Sequence, residues 1–120
     1  MSKTTEIIQL LNGNATLKSK FSIIGIMVLP VNDYKKYISV RKIASEFSTT
    51  LDAALNETGS YIISAYAEKF AEVDEVEELL LNILNSAVFR DGQRSTIRSV
   101  DEEYIVDSKK FVKVITIEIQ

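Results

Sequence analysis

Tyr61-Ile-Ile-Ser-Ala-Tyr-Ala-Glu-Lys-Phe-Ala-Glu-Val-Asp-Glu-Val-Glu-Glu-Leu-Leu-Leu-Asn-Ile-Leu-Asn-Ser-Ala87 carries two hydrophobic periods in one passage. Tyr61 to Ala67 reads as a strand, rich in aromatic and β-branched residues. Val73, Val76, Leu80, Ile83, Leu84 and Ala87 then fall on one stripe at helical spacing. Glu72, Asp74 and Glu75 lie in or near the first turn, where the helix dipole favours anions. The passage therefore predicts a strand leading into a helix over Val73–Ala87, with Leu80 and Ile83 in the core beneath a sheet. Asp91-Gly92 breaks the pattern.

Towards the N-terminus, Ser2 can cap a first helix bearing Ile7, Ile8, Leu10 and Leu11, with Gly13 as its stop. Phe21 to Leu29 is a β-rich run closed by Pro30, and Val31 to Lys36 reads as a loop. Tyr37 to Ala44 is a second strand with Ile38 and Val40 on one face. Glu46 to Gly59 stays open: Ser48, Thr49 and Thr50 favour a loop, whereas Leu51, Ala54 and Leu55 permit a helical turn. Towards the C-terminus, Ile97–Val106 and Phe111–Ile119 read as strands around the hairpin-sized link Asp107-Ser-Lys-Lys110. The order is α-β-β-β-α-β-β. A length of 120 residues suits one core, so the expectation is a single α+β domain over 1–120, mostly antiparallel, with helices on one face.

Composition excludes much chemistry. The chain has neither Cys nor His, which removes Ser-His-Asp triads, thiol nucleophiles, disulfides and imidazole or thiolate zinc sites. With 14 basic and 17 acidic residues the net charge is −3, unlike a dedicated nucleic-acid binder. Its basic residues fall in twos and threes: Lys18/Lys20, Lys35/Lys36, Arg41/Lys42 and Lys109/Lys110/Lys113. Arg90, Arg94 and Arg98 straddle Gly92. All of these read as solvated loop charges. The N-terminus lacks an apolar signal region, and the longest apolar run, Ile23 to Leu29, is too short to span a bilayer. A soluble protein made in the cytoplasm, without membrane contact, is expected.

Carboxylates cluster at Glu72/Asp74/Glu75/Glu77/Glu78 and at Asp101/Glu102/Glu103. The first set lies opposite the apolar stripe and reads as a solvated helix face. Asp101 and Glu103 share one side of a strand, but a divalent-metal site needs more converging oxygens. The glycines form no phosphate-binding pattern, and packing accounts for Tyr37, Tyr61 and Tyr66. No catalytic, metal-binding or cofactor-binding residue is assigned. Two rival readings are a small-molecule-binding regulatory module of ferredoxin-like build, and a small cofactor-free enzyme of similar fold. The enzyme would use Arg41 or Tyr66 as a polar group in an apolar pocket.

Two helices can cover only one face of such a sheet, yet several strands are apolar on both. Val112 and Val114 oppose Phe111, Ile115 and Ile117, and Ile62 and Tyr66 oppose Tyr61, Ile63 and Ala65. This surplus must be covered by Glu46–Gly59 or by another subunit, and another subunit is the favoured reading.

Four segments resemble the small tail terminator (tail completion) proteins of tailed bacteriophages. Ile7 to Leu17 is similar to the family's opening helix and small-residue turn. Ile26-Met-Val-Leu-Pro30 followed by Tyr37-Ile-Ser-Val40 resembles its strand–loop–strand passage. Tyr61 to Val73, running into the Val76–Leu84 helix, resembles the strand and aromatic-small-acidic turn before the main helix. Tyr104 to Ile119 resembles the terminal hairpin. Asp33-Tyr34-Lys35-Lys36 stands where a proline is expected and Glu46–Gly59 is long, which leaves terminator and neighbouring connector ring both open. The resemblance implies a non-enzymatic virion protein forming a ring, commonly hexameric, at the head–tail junction. It further implies tail-tube and head-connector proteins as partners, and DNA passing the lumen without specific binding. The acidic balance is compatible with such a lumen. Phe47 and Leu51 are the candidate apolar anchors between subunits.

Overall fold

In the computed structural model the described residues are 2–26, 35–49 and 55–120, with the side chains of 45–49 and 55–57 left aside. Helix α1 (Lys3–Asn12) starts at Ser2, whose Oγ accepts the Thr5 N–H at 3.2 Å. It ends at Gly13, which keeps right-handed backbone angles. Asn14 at once caps a second helix, α2 (Ala15–Lys20), its Oδ1 accepting the Leu17 N–H at 2.9 Å. The sequence predicts only a turn here, because a single buried residue, Leu17, is too little to make a period.

Strand β1 (Ile24–Gly25) is followed by β2 (Lys36–Thr49), β3 (Leu55–Ala67), helix α3 (Phe70–Leu84), β4 (Ser95–Ile105) and β5 (Lys110–Ile119). The sheet order is β1-β2-β3-β5-β4. Among the described residues only the β1–β2 pair is parallel. The class is α+β with a mostly antiparallel sheet, as expected. The expected first strand is much shorter than Phe21–Leu29: Phe21 closes α2 by donating its N–H to the Leu17 carbonyl at 2.8 Å. Residues 27–30 lie outside the described residues.

Helices α1, α2 and α3 pack on one face. Ile7, Leu11, Leu17, Val73, Val76, Leu80 and Leu84 meet Ile38, Val40, Ile63, Ala65, Ile115 and Ile117 in one core. Alternation on the strands puts those sheet residues on a common side. Helix α3 runs a turn earlier than the expected Val73–Ala87. It stops at Leu84 because Ser86 turns left-handed (φ 59°). The buried Ser95 hydroxyl then donates to the Leu84 carbonyl and accepts the Ala87 N–H, closing the helix end. Ile83 is half-buried at the rim, and Leu84 takes the place expected for it in the centre.

The opposite face carries a smaller cluster of Tyr37, Tyr66 and Val112, flanked by Ile23, Ile105 and Val114. This cluster contains much of the two-sided apolar character seen in the strands. Glu46–Gly59 provides no cover over the sheet within its described part. Its backbone extends the β2–β3 hairpin, with register Glu46↔Thr58 through Thr49↔Leu55. At the base of this extension Gly59 is buried, and a Cβ there would come within 2.7 Å of the Tyr61 ring. Only glycine lets that ring lie flat across the strand.

Candidate functional site

The carboxylates of α3 are less solvent-directed than expected. Glu72 pairs with Lys36 at 3.0 Å and Glu75 with Lys20 at 2.8 Å. The Lys20 ammonium holds the Glu75 carboxyl below its usual range. Asp74 and Glu77 reach Lys113 at 3.5 and 3.2 Å, and Glu102 of β4 also binds it. Lys110 and Lys113 are not solvated loop charges: both are buried, because β5 is an inner strand. Burial would lower the Lys113 pKa, but Glu102 and Glu77 outweigh it and hold the ammonium above the ordinary lysine value. Lys113 also lies over the Phe70 ring, 5.2 Å from its centroid. A cation thus already fills the point where these acids converge. Among the described residues no group of acids is disposed to hold a metal ion.

The arginine trio forms no common face. Arg90 lies in a turn where its N–H donates to Glu6, Arg94 exchanges backbone hydrogen bonds with Gln120, and Arg98 pairs with Glu118 at 3.1 Å.

On the face opposite the helices, Arg41 and Tyr66 come together with Ser39, Ile62 and Ser64 around a hollow of about 210 Å³. Tyr66 stacks on Tyr37, ring centroids 4.5 Å apart. Burial, reinforced by Tyr66, pushes the Tyr37 phenol up to about 12. The hollow is smaller than the roughly 300–1,000 Å³ usual for small-molecule sites.

The margins of the sheet are the more distinctive surfaces. Strand β4 is the outer strand on one side, and residues Arg98–Tyr104 are all exposed. Val100 and Tyr104 retain 37% and 50% of their accessible surface. Tyr104 lies tilted against Phe111, ring centroids 4.8 Å apart, and Phe111 in turn meets Phe70 edge-on. Such an aromatic patch beside an unpaired strand edge is a common docking surface. On the other side, among the described residues β1 pairs with β2 only at Ile38 and Ser39, and Arg41–Ala44 are exposed. Phe47 stands further along β2, opposite Glu57, and Leu51 lies outside the described residues. Sequence reasoning singled out neither margin, although Asp101-Glu102-Glu103 beside Arg41-Lys42 offered a charge signal.

A chain of a solved structure described as "Virion of native gene transfer agent (GTA) particle" has a similar fold. The TM-score is 0.74 at 13% identity, covering 92% of this chain and 87% of that one. At that identity the likeness is one of fold. No protein-family model matches the sequence, and no curated protein matches it either.

Proposed function

We propose that this chain is a non-enzymatic structural subunit of a phage-like virion. It forms a ring at the head–tail junction that caps the tail tube and joins it to the head connector. The observation that carries this reading is the fold shared, along nearly its whole length, with a chain of a gene transfer agent virion particle. The terminator resemblance supplies the finer assignment and a ring of six. The described part of the β2–β3 hairpin and the exposed margins provide surfaces for subunit contacts, and Phe47 and Leu51 are kept as the proposed apolar anchors. A net charge of −3 suits a lumen through which DNA slides.

Native mass spectrometry at high protein concentration, with imaging of particles containing the protein, tests this. A closed ring at the junction is expected. A chain that stays monomeric and is absent from the junction would overturn the assignment.

The hollow shared by Arg41 and Tyr66 is the one observation favouring a small-molecule module or cofactor-free enzyme. A metabolite that raises the melting temperature of the wild-type chain, but not of Arg41→Ala, would support that reading.

A further inference from the structure

We infer that the hollow over β2 and β3, on the sheet face opposite the helices, binds a carboxylate group. Arg41 supplies the charge, and Ser39, Ser64 and Tyr66 donate hydrogen bonds from their hydroxyls. The inference stands whether or not the chain forms a ring.

The hollow follows from the strand register. Tyr37 faces Tyr66, Ser39 faces Ser64 and Arg41 faces Ile62. These are successive rungs on one face, because side chains alternate along a strand. Two small residues thus lie between rungs of large ones, and a space of about 210 Å³ opens over the serine pair. The Tyr37–Tyr66 stack, centroids 4.5 Å apart, fixes one wall.

Its polar groups find nothing to bind within the described fold. Ser39, Ser64 and Tyr66 retain only 5%, 6% and 9% of their accessible surface. Among the described residues their hydroxyls have no hydrogen-bond partner and Arg41 has no ion pair, yet none of these hydroxyls is sealed in the core. Nearly buried hydroxyls left unpaired cost stability unless something outside the fold satisfies them. No acid lines the hollow among the described residues.

Charge and backbone select the ligand class. Phosphate sites are built on free backbone N–H groups, at a helix N-terminus or in a nest, or on several cations. Here the floor is paired strand backbone, and one guanidinium is the only cation among the described lining residues. A single planar fork matches a carboxylate. Ile62 gives the carbon side of the ligand an apolar contact.

The test is an NMR titration of the isolated chain with propionate. Saturable shifts are expected at Ser39, Arg41, Ser64 and Tyr66. Arg41→Gln should weaken binding about tenfold or more, as loss of a charged partner does. Ser39→Ala/Ser64→Ala should also weaken it, while the melting temperature without ligand stays at or above wild type. Arg90→Gln, which removes the same charge elsewhere, should bind as wild type. No saturation, or equal losses in Arg90→Gln and Arg41→Gln, would overturn the site. Inorganic phosphate binding more tightly than propionate would overturn the carboxylate assignment.

A carboxylate has two sources here, a free small molecule or an acidic side chain of a second copy, and assembly separates them. Native mass spectrometry in which Arg41→Gln or added propionate abolishes assembly supports the site and assigns the second copy. Normal assembly of Arg41→Gln, with propionate binding lost, supports the site and assigns a free molecule. A wild type that forms no ring removes the ring reading and leaves the site to the titration.

Discussion

At the scale of single residues, Lys113 and Tyr37 show how burial changes what a side chain does. The Lys113 stem lies in the sheet while its ammonium joins α3 to β4 through Asp74, Glu77 and Glu102. Tyr37, 2% exposed, keeps its phenol protonated to about pH 12, against the ordinary value of 10.0. The sign follows from linkage. Between those values the unfolded chain has lost the phenol proton and the folded chain has kept it, so stability falls as pH rises. Below pH 10 the contribution is intact, and by pH 12 about 2–3 kcal/mol is lost. Lys113 acts in the same direction, since its raised pKa means its contribution disappears as pH climbs through the folded value. The Tyr37→Phe variant keeps the stacked ring and should resist alkali better than wild type in urea titrations from pH 9 to 12. Equal pH slopes for the two proteins would refute a buried Tyr37 phenol.

At the scale of elements, α3 is held by its stripe. Leu80 is fully buried in the core, whereas Ile83 sits half-buried at its rim. Leu80→Ala should cost about 2–5 kcal/mol and Ile83→Ala about 1–2 kcal/mol, because only part of the Ile83 surface leaves water on folding. Denaturant melts check the order: an Ile83→Ala loss as large as that of Leu80→Ala would put both in the centre. The spacing alone could not separate them, since Ile83 and Leu84 both lie on the stripe. The end of the helix decided it, where Ser86 turns away and Ser95 fixes Leu84 in place. Helix α2 illustrates the opposite case. Its only sequence signal was Asn14 placed to cap, with Leu17 following.

At the scale of the whole molecule, the hairpin is separable from the body. Among the described residues strand β3 pairs with β5 from Gly59 onward, while Leu55–Thr58 pairs with β2 alone. Replacing residues 47–57 by a two-residue Asn-Gly turn, flanked by the paired Glu46 and Thr58, should therefore leave the melting temperature within a few degrees of wild type. If the hairpin carries subunit contacts, as proposed, the shortened chain should also fail to assemble. A large loss of thermal stability would mean that the hairpin belongs to the body, and unchanged assembly would remove Phe47 and Leu51 from the proposed interface.

The α+β class, the main helix and the terminal hairpin were all legible in the chain itself, because each rests on a local period: 3.6 residues in Val73–Leu84 and two residues in Phe111–Ile119. Glu46–Gly59 was not, since its polar residues fit several local conformations and only pairing across the hairpin, as in Glu46↔Thr58, makes its described part strand. The burial of Lys110 and Lys113 was equally out of reach, because exposure in a strand depends on which strands flank it. The same holds for the two margins of the sheet. Asp101–Glu103 is a charge run in the sequence, and it comes to lie on an outer strand only once the order β1-β2-β3-β5-β4 is set by long-range pairing. Local periodicity determined the elements; which surfaces they leave open was decided by contacts between residues far apart in the chain.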